Sequence, residues 1–207
     1  KAYSDIWEAE YASKNRNMIR KAVKLGYEIE ILESPEEKDL NTFIDIYYYS
    51  MNMTNAEKYY FFDKEYFRNI FKYLKGKAYL FNVLDNESHV VCSSIFLRHG
   101  DYFHYHFSGR NQKADNSTNN FLLDRAVNFA QNTGAKYFHL GGGRSTKTDD
   151  SLLKFKKSFS KETLAFYIGK KIRNQSIYDQ VVAQWADKYP DKIDKYKNHL
   201  LKYRYCT

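Results

Sequence analysis

A mixed α/β fold, one mostly antiparallel sheet flanked by helices, is what this 207-residue sequence predicts, on three observations. Three β-rich runs, 78–84, 90–97 and 102–107, follow one another across short, turn-rich connections at 85–88 and 98–101. Connections that short join antiparallel neighbours, so these runs form a meander. A further strand-like run, 136–140, follows a helical stretch long enough to cross back over the sheet, which makes it a parallel neighbour of the run at 102. Helix-patterned segments stand on both sides of these runs. The coarse order is α-β-α-α-β-β-β-α-β-α-β-α, with no internal repeat.

Each element has its own local reason. Residues 6–25 read as a helix with a basic later half (Lys14, Arg16, Arg20, Lys21, Lys24), stopped by Gly26, where a left-handed residue is expected. Residues 27–32 alternate as a strand does. Ser34-Pro35-Glu36-Glu37 reads as a helix start, with Ser34 as cap, Pro35 in the first turn and Glu37 closing a capping box. That helix runs on to Met53. A second begins at Asp63, carries Tyr66, Phe67, Ile70, Phe71 and Leu74 at helical spacing, and ends at Gly76. After the meander, a polar loop at 109–117 leads into a helix at 119–131 that Gly134 ends. The strand at 136–140 is followed by Gly141-Gly142-Gly143, a helix at 150–159, a strand from 164 to about 172 and an amphipathic helical stretch at 176–205.

Composition narrows the class. With 43% hydrophobic and 18% aromatic residues the chain fills a core, which excludes disorder, and two prolines with nine glycines exclude collagen-like and low-complexity classes. No apolar run approaches the roughly 20 residues that span a bilayer. The formal net charge of +8 attracts polyanions: RNA, phosphorylated precursors or an anionic membrane surface. Cys92, in an apolar run, reads as a buried free thiol and Cys206 lies near the end, so the pair reads as no disulfide framework and suits a reducing compartment. Lys1–Glu10 has no signal-peptide pattern and the sequence does not open on methionine, so it reads as part of something longer.

Several constellations could carry chemistry. Residues 141–148 come close to a phosphate-binding loop, with Lys147-Thr148 at the right distance from Gly141, but Thr146 stands where that motif needs its second glycine. The three glycines serve either a tight turn or the close approach of a ligand to backbone. His104 and His106, two apart on a strand, face one side, with Phe103, Tyr105 and Phe107 on the other. With His139 they make a three-histidine metal site conceivable, but no carboxylate or cysteine is spaced to complete it, so no metal is expected. Lys154, Lys156 and Lys157, with Lys161 just beyond, form either a solvated face or a set of which one member points into a cleft. On a helix, Lys154 and Lys156 lie about 100° to either side of Phe155, so at most one of them reaches that cleft.

The stretches His104-Tyr105-His106-Phe107-Ser108-Gly109, Tyr137-Phe138-His139-Leu140-Gly141-Gly142-Gly143 and Asp150-Ser151-Leu152-Leu153-Lys154-Phe155-Lys156-Lys157-Ser158-Phe159-Ser160 together resemble the FemAB family. These are the peptidoglycan interpeptide-bridge aminoacyltransferases, related to GNAT-type acetyltransferases. Asn15–Ala22 with Gly26 resembles the family's basic helix, and Tyr167–Ile172 its late strand. The resemblance implies an acyl-CoA N-acyltransferase (GNAT) fold and the C-terminal domain of a two-domain chain. It divides this sequence into a basic linker helix (1–26), a GNAT-like domain (27–174) and a helical tail packing on it (175–207).

The function it implies is transfer of an aminoacyl or acyl group to an amine of a peptidoglycan or polysaccharide precursor. That would take place in the cytoplasm of a bacterium, in peripheral contact with the membrane. No cofactor is tightly bound on this reading, and the donor is an aminoacyl-tRNA or acyl-CoA. The family's FK motif places a substrate contact on Lys156, with His104 and His106 as further catalytic candidates and Ser108, Gly141, Gly142, Gly143 and Arg144 as substrate-binding candidates. The acetyl-CoA signature R/Q-x-x-G-x-G/A is absent before the helix at 119, where the sequence reads Gly109-Arg110-Asn111-Gln112. That departure favours aminoacyl-tRNA as donor. Two alternatives stand beside it: a GNAT-shaped binding module without catalysis, and an ordinary acetyl-CoA-dependent N-acetyltransferase.

Overall fold

The computed structural model describes residues 2–144 and 149–206. The chain divides into two compact units, Lys1–Glu162 and Thr163–Thr207, a boundary that falls inside the span 27–174 drawn from the sequence.

The first unit is built on a five-stranded sheet in sequential order, β1 (Glu28–Leu32), β2 (Ala78–Leu84), β3 (Val90–His99), β4 (Tyr102–Arg110) and β5 (Tyr137–His139). The first four strands are antiparallel neighbours, and β5 joins β4 in parallel, as the crossover through α5 (Thr118–Asn132) requires. One face carries Phe81, Phe96 and Phe103 against Phe121, Leu122 and Ala126 of α5 and Ile19 and Ala22 of α2 (Ser13–Lys24). The other carries Leu80 and Ile95 against Phe43, Ile44 and Tyr47 of α3 (Glu37–Met53) and Phe67 and Ile70 of α4 (Lys64–Tyr73). The central strands are therefore apolar on both sides. This is the architecture expected from the sequence, with helices on both faces of a mostly antiparallel sheet.

Local corrections have local causes. The first helix is two: α1 (Tyr3–Ala9) ends before Tyr11, and α2 restarts at Ser13. The Ala12 N–H, freed at that break, donates to the Ser158 carbonyl at 2.9 Å. The start of α3 lies two residues beyond the expected cap, because Glu36 caps it and the Asp39 carboxylate accepts the Glu36 N–H at 2.8 Å. A bulge in the β3–β4 ladder pairs Phe96 with Tyr105 and Ile95 with Phe107, leaving His106 as the extra residue. Alternation is broken there. Phe107 turns from the side of Phe103 and Tyr105 to the α3–α4 side, where its ring stands edge-on to Phe67 at 5.5 Å.

In the second unit, residues 164–172 form no strand. Leu164, Phe166, Tyr167 and Ile168 are exposed, and no other strand among the described residues pairs with them, so strand propensity has no ladder to join. The helical stretch is also broken. α7 (Gln175–Lys188), capped by the Asn174 side chain, stops before Pro190, which opens a 3-10 turn leading to α8 (Ile193–Tyr196). Trp185 is buried within this unit and its Nε1 donates to the Tyr205 carbonyl at 3.2 Å. Among the described residues no helix is long and apolar enough to cross a membrane.

Candidate functional site

The site sits where β4 and β5 part. Their pairing covers only Tyr102↔Tyr137, Phe103↔Phe138 and His104↔His139. Beyond it β4 continues to Arg110 beside β3, while the other chain becomes the glycine loop. A gap between parallel strands leaves backbone groups unpaired and gives side chains from both strands and the following helix a common space.

That loop is held by α6 (Ser151–Lys157). Its cap, Asp150, is buried, and its carboxylate accepts the Leu153 N–H that caps the helix and the Arg144 N–H from the loop, each at 2.8 Å. One side chain thus ties helix start to loop end. Two of the three glycines are required. Gly141 has φ +75°, a left-handed backbone. A Cβ on Gly143 would stand 2.7 Å from Asp150 Oδ1 and 3.0 Å from Leu153 Cβ, so the loop passes too close to the cap for any side chain. Gly142 has open space around it.

Lys156 reaches this loop, and its Nζ donates to the Gly142 carbonyl at 2.8 Å. The ammonium lies 5.6 Å from the centre of the Tyr105 ring. Burial lowers its pKa, and Asp150 opposes that shift. Lys154 and Lys157, on the same helix, are exposed. Phe159, one turn beyond Phe155, is buried and anchors the segment, with its ring edge-on to Tyr11.

His104 comes to the same place from β4. Its Nδ1 lies 3.2 Å from the His139 carbonyl oxygen and 2.7 Å from His139 Nδ1. A carbonyl only accepts, so the 3.2 Å contact is a hydrogen bond when His104 carries its hydrogen on Nδ1; in that tautomer His139 Nδ1 accepts too and His104 Nε2 keeps a lone pair. Burial and then the neighbouring His139, His106 and Lys156 push the His104 pKa down to about 4, while its hydrogen bond to the His139 backbone works the other way. Burial lowers His106 as well. Both imidazoles are therefore neutral at pH 7.

The other sequence candidates divide. Arg144 is exposed and is held through its backbone. Ser108 is occupied with Ser94, their hydroxyls 2.7 Å apart, rather than with Lys156. Lys147 and Thr148, the pair with phosphate-loop spacing, lie outside the described residues. Among the described residues no group of three or more His, Cys, Asp and Glu is arranged to hold a metal. Cys92 is buried, sits 3.0 Å from the Asn119 side chain and has its pKa pushed up to about 12 by burial, so it is inert as a nucleophile.

Sequence reasoning sets two participants aside. His139 stands out there only as a metal ligand, although its place in the run before the glycines puts it opposite His104. Asp150 reads as a helix start, and the six-residue spacing to Arg144 gives no sign that it also clamps the loop.

Comparison with known proteins bears on the family and the fold. Residues 10–157 match the family model described as an acetyltransferase (GNAT) domain. Over 176 residues the chain is 26% identical to a UDP-N-acetylmuramoylpentapeptide-lysine N(6)-alanyltransferase from Weissella viridescens, a match covering 83% of this chain and 50% of that protein. The crystal structure of FemX superposes with a TM-score of 0.65 at 15% identity, over 77% of this chain and 56% of that one. L-PGS from Bacillus licheniformis gives 0.56 at 14% identity, over 73% and 51%. The chain spans about half the length of the curated relative it matches. With the family model covering residues 10–157, well over half of its length, the chain belongs to the acetyltransferase (GNAT) domain family.

Proposed function

We propose that this chain carries the acyl-transfer site of an enzyme that moves an aminoacyl group from an aminoacyl-tRNA to an amine of a cell-envelope precursor. The observation that carries the proposal is Lys156. Of the three lysines on α6 it is the one drawn to the glycine loop, and a neutral carbonyl occupies only one of its three N–H bonds.

The reaction asks little of a protein beyond placement. The lone pair of a deprotonated amine attacks the ester carbonyl, and a C–N bond forms as the C=O electrons move to oxygen. The tetrahedral intermediate then expels the tRNA 3′ oxygen, which takes up the proton the nitrogen loses. Holding ester and amine together supplies most of the rate. The free N–H bonds of Lys156, in a half-buried setting, suit the negative charge that develops on the carbonyl oxygen. Gly141, Gly142 and Gly143 allow a substrate to approach the backbone, and Arg144 at the loop's end offers a further cation.

Charge supports a polyanionic donor. Residues 163–207 alone hold nine Lys and Arg against four Asp. The missing acetyl-CoA signature argues against acetyl-CoA and for a Kd for it above about 1 mM. The alanyltransferase relative is named for a peptidoglycan-precursor amine, and we take the same class of acceptor here, reached from the cytoplasm. Alanine substitution of each α6 lysine in the full-length protein tests the assignment. Lys156→Ala lowers transfer roughly 10- to 100-fold, the loss of one charge-assisted contact worth about 1.5–3 kcal/mol, while Lys154→Ala and Lys157→Ala stay near wild type. Equal losses in all three would reduce the lysines to a diffuse basic face.

A further inference from the structure

We propose that His104, His106, His139 and Lys156 form a proton-linked binding site for a tetrahedral dianion of the phosphate-monoester class. Four potential cations from three separate elements converge here. The ring centres of His104 and His139 are 4.8 Å apart, and those of His104 and His106 are 5.4 Å apart. The point that a Gly141 Cβ would occupy lies 3.1 Å from Lys156 Nζ and 4.0 Å from His104 Cε1. The left-handed glycine therefore keeps open the spot on which lysine and histidine converge.

None of the four has a carboxylate hydrogen-bonded to it among the described residues. Lys156 meets a carbonyl and a ring face, and His104 meets a second imidazole and a carbonyl. The titratable groups facing His104 are His106 on its own strand, His139 on β5 and Lys156 on α6. The carboxylate acting on the cluster is Asp150, which acts on Lys156 and is already engaged by two backbone N–H groups. Without an anion, burial disfavours the charged forms of His104, His106 and Lys156, and at His104 the neighbouring His139, His106 and Lys156 add to that shift. A dianion reverses that balance. It favours the imidazolium at His104, whose Nε2 takes up the proton while Nδ1 stays 2.7 Å from His139 Nδ1. By linkage, binding that takes up a proton weakens as pH rises.

This inference deepens the acyl-transfer reading of the cleft by naming a chemical group that it would hold, yet its test needs no transfer. Sulfate is the probe, because its charge is constant across the histidine range, and histidine ring Cε1–Hε1 NMR signals report its binding. We expect saturable shifts of the His104 and His139 signals, and an affinity about tenfold weaker per pH unit between about pH 5.5 and 7.5. His104→Gln removes the pH dependence. His139→Gln, at an exposed position where folding is not at stake, reduces it. Lys156→Met weakens binding at every pH and leaves the slope unchanged. Acetate, a monoanion in this range, binds more weakly. The proposal is overturned by sulfate shifts confined to other residues, by a pH-independent affinity, or by acetate binding as tightly as sulfate. An absence of aminoacyl transfer alongside intact sulfate binding would instead refute the transferase reading alone.

Discussion

Alanine scanning of Gly141, Gly142 and Gly143 should give three different costs from three adjacent, chemically identical residues. Gly143→Ala places a methyl group 2.7 Å from Asp150 Oδ1, 2.8 Å from its Cγ and 3.0 Å from Leu153 Cβ. Either the loop shifts, straining a packed region by about 1–3 kcal/mol, or Asp150 gives way and α6 loses a cap worth about 1 kcal/mol. We expect a loss of about 2 kcal/mol. Gly141→Ala meets the flexible end of Lys156 at 3.1 Å and His104 Cε1 at an ordinary 4.0 Å, but carries a left-handed backbone at φ +75°, which costs a non-glycine residue about 1–2 kcal/mol. Gly142→Ala meets nothing within 4 Å and its φ is not left-handed, so it should be neutral or stabilise by about 0.4–1 kcal/mol by restricting the unfolded chain. Urea unfolding followed by far-UV circular dichroism resolves these values, since at a slope of about 2 kcal/mol per molar a 2 kcal/mol loss moves the midpoint by about 1 M. Gly142→Ala as damaging as Gly143→Ala would refute the clamp by Asp150.

Two further predictions concern the scaffold behind the site. Asp124 is buried beneath Tyr3, which donates to it, and burial raises its pKa despite Arg125 at 3.4 Å. An acid with a raised folded-state pKa binds its proton more readily when folded, so wild-type stability falls as pH rises above the unfolded value near 4. Asp124→Asn should remove that fall and gain about 1 kcal/mol at pH 7 with little change at about pH 4, and an equal effect at both pH values in urea unfolding would contradict this. Asn15 donates to the Ser158 carbonyl at 2.8 Å and accepts from Asn120 at 3.0 Å, tying α2, α5 and the end of α6 together in a buried position. Asn15→Ala leaves the buried Asn120 amide without its acceptor, while the Ser158 carbonyl keeps the Ala12 N–H, and should cost about 1–3 kcal/mol, whereas a loss under about 0.5 kcal/mol would show the network to be slack.

How much of this is legible in the sequence depends on whether the deciding interaction is local. The meander and the parallel placement of β5 follow from connection lengths, and caps such as Asp63, which accepts the Tyr66 N–H at 2.7 Å, from residue type. The angle around α6 separates Lys156 from Lys154 by helix geometry alone. Long-range choices are hidden. Nothing between Phe103 and Phe107 announces the bulge at His106, because it arises from pairing with β3. The His104–His139 contact joins residues 35 apart across two strands, and the clamp of Arg144 by Asp150 depends on a loop path, not a motif. Residues 164–168 have strand chemistry, but a strand exists only beside another, and the sequence does not say whether one is there.

Donor choice separates aminoacyl transfer from acetyl transfer. The full-length protein should be given a charged aminoacyl-tRNA and, separately, acetyl-CoA, each with a lysine-containing peptidoglycan precursor, and acylated product measured by mass spectrometry. The expected result is an aminoacylated precursor from the tRNA donor, lost roughly 10- to 100-fold in Lys156→Ala, and no acetylated product at micromolar acetyl-CoA. Efficient acetyl transfer with no aminoacyl transfer would contradict it.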